Sequence, residues 1–313
     1  MPYRNASFKN LIGVPLTLFQ NSKCSEIHVM EAQGNSFLVQ ITPFKTLEEA
    51  FSCTREVLEN FFSVHSRYPS DQFVQLIYTD ETHLWHLRFW NRDGSSAEAC
   101  GNGTRSATHL LSRLGYIKSE IEFQGPVGPL KAYVNSKEPH TNQASQTITV
   151  CQGKGRLLSI ESIKKSFTQE MWQNVIKEGE HICGVDLGNL HLIIIGYQDP
   201  VSYIRAYDEA WRNLRKNSYD SAGVNISYVR CVDLQKKNPE PVLIATWERG
   251  VGPTLSCGSA SCAAFIVLAE HYLLDQIPFQ FPGGTIVVRQ CSRKKYWHSA
   301  LSSYHCSVHL HIS

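Results

Sequence analysis

Eight short stretches of the chain alternate apolar and polar side chains or run apolar, the signature of half-buried or buried strands. They are Ile27–Met30, Phe37–Ile41, Phe73–Tyr78, Leu84–Trp90, Thr147–Val150, Leu192–Ile195, Ile226–Val229 and Val242–Trp247. Helical spacing instead marks Glu48–Phe62, Thr104–Leu114, Ile163–Lys177 and Ser259–Leu273, with Gly115 closing the second of these. The polar segment Lys137–Gln146, with its one proline, predicts a loop or linker near the middle. Strands and helices mixed in this way predict an α+β protein.

The pattern also repeats. Around Cys100 the chain reads Asn91-Arg-Asp-Gly-Ser-Ser-Ala-Glu-Ala-Cys100-Gly-Asn-Gly-Thr-Arg105. Around Cys257 it reads Glu248-Arg-Gly-Val-Gly-Pro-Thr-Leu-Ser-Cys257-Gly-Ser-Ala-Ser-Cys262, 157 residues later. Gly34-Asn35 is echoed by Gly188-Asn189 at an offset of 154, and Gln72 by Asn225 at 153. Three polar landmarks recurring in order predict an internal duplication. The expected architecture is two pseudo-symmetric lobes with the active site in the cleft between them. Residues 1–22 form an extension, 23–150 the first lobe and 151–299 the second, with a final strand near 300–313 returning to the first.

Composition narrows the class. At 313 residues, 42% hydrophobic and 19% charged, the chain is neither disordered nor fibrous. A formal net charge of +2 is too balanced to signal a nucleic-acid surface. No run approaches the roughly 18 apolar residues of a membrane helix. Ten cysteines without a C-x-x-C pair read as reduced thiols, most of them small core hydrophobes. Arg4 and Lys9 precede an apolar run from Leu11 to Phe19, but Asn10, Pro15 and Thr17 dilute it and no small-x-small cleavage site follows. A flexible arm on a cytoplasmic protein is expected rather than an export signal.

The two Cys-Gly segments carry the candidate chemistry. Glycines let a ligand approach the backbone closely, and the N–H groups and dipole at a helix start favour anions. A cysteine there is expected to have its thiolate favoured. Two such elements facing one substrate carboxylate could remove the α proton from one side and deliver another from the opposite side. The result is inversion at carbon without a cofactor, using groups whose pKa values lie near working pH.

These residues resemble the two signature blocks of the diaminopimelate epimerase family. The strings are Asn91, Asp93-Gly94-Ser95, Cys100-Gly101-Asn102-Gly103 and Arg105, then Glu248-Arg249-Gly250, Gly252, Thr254 and Cys257-Gly258. The resemblance runs from about Ile27 to about Arg289. It implies two α+β lobes around the active site and interconversion of LL- and meso-diaminopimelate for lysine and peptidoglycan precursor synthesis, with neither pyridoxal phosphate nor metal. By matching position it makes Cys100 and Cys257 the acid/base thiols, each assisted by one of His191 and Glu248. Asn35, Gln72, Asn91, Asn189 and Asn225 become substrate-binding amides. Glu248 and Arg249 grip the ammonium and carboxylate of the far, non-reacting centre, while the amides around Gly101-Asn102 and Gly258-Ser259 hold the reacting carboxylate. The partner is a small amino acid, and the chain is compatible with a homodimer.

The chain departs from the family pattern at Leu190 (usually proline), Ser36 (usually acidic), Glu31-Ala32-Gln33, and Ser259-Ala260 (usually Thr-Gly). Its tail from about Gln290 carries His298, His305, Cys306, His309 and His311 in place of the usual ending. A racemase of another amino acid would keep both cysteines but lose the far-end grip, whose Asn91, Asn225, Glu248 and Arg249 are all present. A metal-binding or thiol-regulatory role for the tail lacks zinc-like spacing. Nucleotide binding at Gly101–Ser106 lacks the P-loop lysine.

Overall fold

The computed structural model describes residues 24–44, 47–48, 58, 70–79, 84–92, 94–135, 144–165, 167, 169, 172–173, 180–216, 223–230, 240–249, 251–270, 272, 274–291 and 295–311. The arm over residues 1–22 and nearly all of the helix expected at Glu48–Phe62 lie outside them. The fold is mixed and strand-rich. Two units divide it: Ser36–Val150 with the described residues up to Ala32 and from Leu301 onward, and Gln33–Asn35 with Cys151–Ala300.

The first unit contains β1 (Cys24–Ala32), β2 (Asn35–Phe44), β3 (Gln72–Thr79), β4 (Trp85–Asn91), β5 (Ser96–Ala97), α1 (Gly101–Arg113), β6 (Glu120–Gly125), β7 (Gly128–Val134) and the start of β8 (Ser145–Lys154). Its strand partners form a closed ring. β2 runs parallel to β3, β3 antiparallel to β4, and β4 parallel to β6. β6, β7 and β8 follow antiparallel. The end of a last strand, β17 (Lys295–His311), pairs with β8 and with β1, and β1 with β2.

α1 fills this ring. Its residues Asn102–Ser112 are all buried, although Thr104, Arg105, Ser106, Thr108 and His109 are polar. Ala107, Leu110 and Leu111 meet Met30, Phe37, Val74, Leu87, Phe123, Ala132 and Ile148 from the surrounding strands. Part of the polar remainder is hydrogen-bonded, as in Thr108 Oγ1–H to Thr104 O at 2.7 Å within the helix and the His109–Ser302 contact at 3.4 Å to β17.

The second unit contains β9 (Arg156–Leu158), α2 (Ile160–Lys164), β10 (His181–Asp186), β11 (Leu190–Gly196), α3 (Pro200–Lys216), β12 (Asn225–Arg230), β13 (Val242–Glu248), β14 (Gly252–Thr254), α4 (Gly258–Ala269), β15 (Gln276–Phe281), β16 (Gly284–Cys291) and the start of β17. β11 is parallel to β12, β12 antiparallel to β13, and β13 parallel to β15. β15, β16 and β17 follow antiparallel. The alternation of strand side chains separates two apolar layers. Ile193, Val229 and Ile244 pack with α4, while Leu192, Ile194, Ile226, Tyr228, Ala245 and Trp247 pack with α3.

Several element bounds differ from expectation. α1 and α4 begin directly after their cysteines, and α4 ends at Ala269 rather than near Leu273. Of the helix expected over Ile163–Lys177, the described residues show the end of the short α2, capped by the Ser159 hydroxyl accepting from Ser162 N–H at 3.2 Å, and helical backbone again at 169 and 172–173, while most of the remainder lies outside them. The expected loop Lys137–Gln146 gives way to β8 at Ser145.

Candidate active site

Cys100 and Cys257 occupy the same kind of position. Each is the residue immediately before a helix, with extended backbone at φ −147°, ψ 108° and φ −141°, ψ 118° respectively. That conformation sets each residue beside a first helical turn whose N–H groups have no partner within the helix, and the Cys100 side chain, unlike that of Cys257, caps one of them. The half-buried Cys100 Sγ accepts from Gly103 N–H at 3.2 Å. Beneath it, Asn102 Oδ1 accepts from the guanidinium of Arg105, which is fully buried. The helix dipole favours a negative sulfur at this position.

Cys257 is 6% exposed, and its Sγ lies 3.3 Å from Ser259 Oγ. Its helix starts at Gly258 because no side chain fits there. A Cβ would stand 2.7 Å from the buried His298 ring. Behind the cysteine, Ser256 ties in the chain from far away in sequence. Asn35 Nδ2 donates to Ser256 O at 3.0 Å and to Ser256 Oγ at 3.2 Å, while Ser256 Oγ donates to Gln33 O at 3.0 Å. Asn35 thus groups with the Cys257 turn in the second unit.

Strand register assembles the remaining polar groups into two rows. In the second unit His191 stands beside Asn225, and Glu248 follows the Ile226–Trp247 pair, one step beyond Asn225's neighbour. Asn225 Oδ1 accepts the Arg249 N–H at 2.9 Å, and Glu248 Oε1 accepts from Thr254 Oγ1 at 2.6 Å. The Arg249 side chain is exposed. In the first unit the corresponding row is Phe37, Gln72 and Asn91. Gln72 Nε2 donates to Asn91 Oδ1 at 2.9 Å, and Asn91 Nδ2 to Ser95 Oγ at 3.1 Å. Asn189 is half-buried in the turn between β10 and β11.

His191 is fully buried, and neither ring nitrogen has a hydrogen-bond partner. Burial pushes its pKa down to about 3, against a smaller upward pull from Asp186. The ring is therefore neutral at physiological pH. Asp186 itself is anchored by Gly188 N–H at 2.9 Å and Arg156 Nη2 at 2.9 Å.

The structure adds Ser256, which lies beside Cys257 and ties it to Asn35. Arg105 and Thr254, already present in the two cysteine strings, gain partners in Asn102 and Glu248. His298 stands in the histidine-bearing tail, and only the packing of β17 brings it under Gly258. No group of three or more His, Cys, Asp or Glu side chains suited to a metal ion stands together among the described residues. No described helix is long and apolar enough to cross a membrane.

Residues 29–154 match the family model for diaminopimelate epimerase. A diaminopimelate epimerase of Rickettsia felis is 28% identical over 243 residues, covering 75% of this chain and 78% of the relative. One from Prochlorococcus marinus is 25% identical over 264 residues, covering 82% and 87%. Among solved structures, a Bacillus anthracis phenazine biosynthesis protein of the PhzF family superposes with a TM-score of 0.63 at 14% identity, covering 93% of this chain and all of that one. A hydroxyproline epimerase from Agrobacterium vitis, solved with trans-4-hydroxy-L-proline bound, gives 0.63 at 13% identity, covering 92% and 91%. At such identities the structural likeness concerns the fold.

Proposed function

We propose that this chain, similar in sequence to the diaminopimelate epimerases, is an isomerase that interconverts LL- and meso-diaminopimelate through two cysteines. The observation that carries this reading is the matched placement of Cys100 and Cys257 at helix starts with nearly the same backbone conformation. We infer that the two units descend from one duplicated ancestor, since β2–β3–β4–β6–β7–β8 and β11–β12–β13–β15–β16–β17 repeat one order of parallel and antiparallel partners.

The reaction needs both thiols at one carbon. One thiolate takes the α proton, and the electron pair moves into the substrate carboxylate. Helix-start N–H groups after Cys100 and Cys257 stabilise that charge. The opposite thiol then gives its proton to the other face, becoming the thiolate that serves the reverse reaction. Neutral His191 and the Glu248 carboxylate are the proton-handling groups assigned to assist. Asn35, Gln72, Asn91, Asn189 and Asn225 hold neutral polar parts of the substrate, and Glu248 with Arg249 holds the far ammonium and carboxylate. Such an activity serves lysine and peptidoglycan precursor synthesis.

The test is turnover of LL-diaminopimelate in D₂O under reducing conditions. Meso product carrying solvent deuterium is expected, and Cys100→Ala or Cys257→Ala should each abolish inversion. Appreciable inversion by either variant rules out the two-thiol mechanism. Exchange only on a different amino acid replaces the substrate assignment with a racemase reading.

A further inference from the structure

The β13–β14 turn that carries Glu248 and Arg249 is held from two sides. On one side are the bonds from Asn225 and Thr254 described above. On the other lies α3, whose Asp208 Oδ1 accepts from Trp247 Nε1 at 2.9 Å and from Arg212 Nε at 2.7 Å. Arg212 Nη2 reaches the carbonyl of Val251 at 3.5 Å. The guanidinium also lies against Gly252, where φ is +98°, at the place a Cβ would occupy. The left-handed backbone reserves position 252 for glycine, and the absence of a side chain there lets the arginine sit close to the turn.

α3 is itself firmly placed. A run of rings links it to the sheet: Tyr228–Tyr203 at 4.0 Å, Tyr203–Tyr207 at 4.9 Å, Tyr207–Trp211 at 5.4 Å and Trp211–Trp247 at 5.9 Å between centroids. Trp247 is therefore packed by one α3 residue and hydrogen-bonded by another, immediately before Glu248. An exposed Asp–Arg pair spaced i, i+4 ordinarily contributes little to stability. This pair instead bonds the indole and turn backbone adjoining Glu248 and the exposed Arg249.

We propose that Asp208 and Arg212 are positioning residues that fix the Glu248–Gly252 turn, so that Arg249 is presented to the anionic far end of a substrate. The pair then sets the preference for amino acids bearing a second carboxylate. This inference rests on the diaminopimelate reading for the identity of that substrate. The physical basis is a population effect. An exposed arginine on a loosened turn spends less time in the binding-competent arrangement, and apparent affinity falls by that fraction.

The test uses the full chain with Arg212→Leu, and Arg212→Lys as the conservative variant. Two readouts are taken: kcat and KM for LL-diaminopimelate, and hydrogen exchange at the amides of Arg249 and Val251. Arg212→Leu is expected to raise KM about tenfold with kcat changed less than about threefold, and to speed exchange at both amides. Lysine, which keeps a charge near Asp208 but lacks the planar fork, is expected to restore part of each effect. Unchanged KM in Arg212→Leu overturns the role in specificity, and unchanged amide exchange overturns the brace itself. If the wild-type chain leaves diaminopimelate untouched, the functional reading and the specificity role both fall, while the exchange measurement still decides whether α3 braces the turn.

Discussion

Replacing His191 with leucine separates its burial from any part in catalysis. In the folded chain burial holds the His191 pKa near 3, against 6.5 for an unperturbed histidine. Between those values the unfolded chain binds a proton that the folded chain refuses, so acid favours unfolding. The contribution is absent above about pH 6.5, grows as pH falls, and levels off below about pH 3. At about pH 5 it amounts to roughly 2 kcal/mol of lost stability, rising toward about 5 kcal/mol across the whole interval. His191→Leu has no such group. Urea unfolding of both proteins, followed by circular dichroism from about pH 8 to pH 4.5, should therefore give curves that run parallel above pH 7 and converge or cross in acid, with the wild type losing more. Parallel acid loss in both proteins refutes the assignment of a buried, neutral histidine. Activity supplies the complementary reading: if His191 assists a thiol, the variant loses kcat even at pH 8, where its stability is not penalised by protonation.

Two further substitutions probe the site. Gly258→Ala forces a methyl group against the His298 ring and should cost about 1–3 kcal/mol, seen as a lowered Tm, with kcat reduced because the Cys257 turn is displaced. An unchanged Tm would show that β17 yields freely there. Thr254→Val removes the 2.6 Å donor to Glu248 while keeping the side chain's shape, so about 1.5–3 kcal/mol of charge-assisted bonding is lost. KM for diaminopimelate should rise more than kcat falls, and equal losses in both parameters would contradict a binding role for Glu248.

Legibility of the fold tracked how locally each element is determined. The runs Phe73–Tyr78 and Leu192–Ile195 are apolar enough to declare strands, and both are central in their units. Helical spacing marks α1 only from Thr104 onward, since Gly101-Asn102-Gly103 reads as a turn. Its helical state there depends on the Cys100 cap and on burial within the ring. α3 carries its local signal in the polar residues of its start. Asp199 Oδ2 accepts from Ser202 N–H at 2.8 Å, and Pro200 occupies the first helical position, a recognisable helix start. β6, β7, β15 and β16 mix exposed polar residues into strands that pair as adjacent hairpins, which breaks their alternation, while the end of the long β17 depends on β1, far away in sequence. The same holds for the site. Cys100, Cys257 and their neighbours could be read from two strings, whereas the Ser256 link to Asn35 and the His298 floor under Gly258 are products of tertiary packing.

β17 has a consequence for how the chain must be made. Its early residues pair with β16, while Ser302–His311 pair with β1, so that Cys24 is matched with His311. During synthesis β1 emerges from the ribosome first and waits for a neighbour that arrives after almost everything else. Until then the ring around α1 stays open, with β1 and β8 each showing an unpaired edge to the surroundings. Contacts so distant in sequence close slowly. The earliest strand among the described residues is thus the one longest in need of protection, and a ribosome that stalls before residue 302 leaves a nascent chain whose first unit cannot complete its ring.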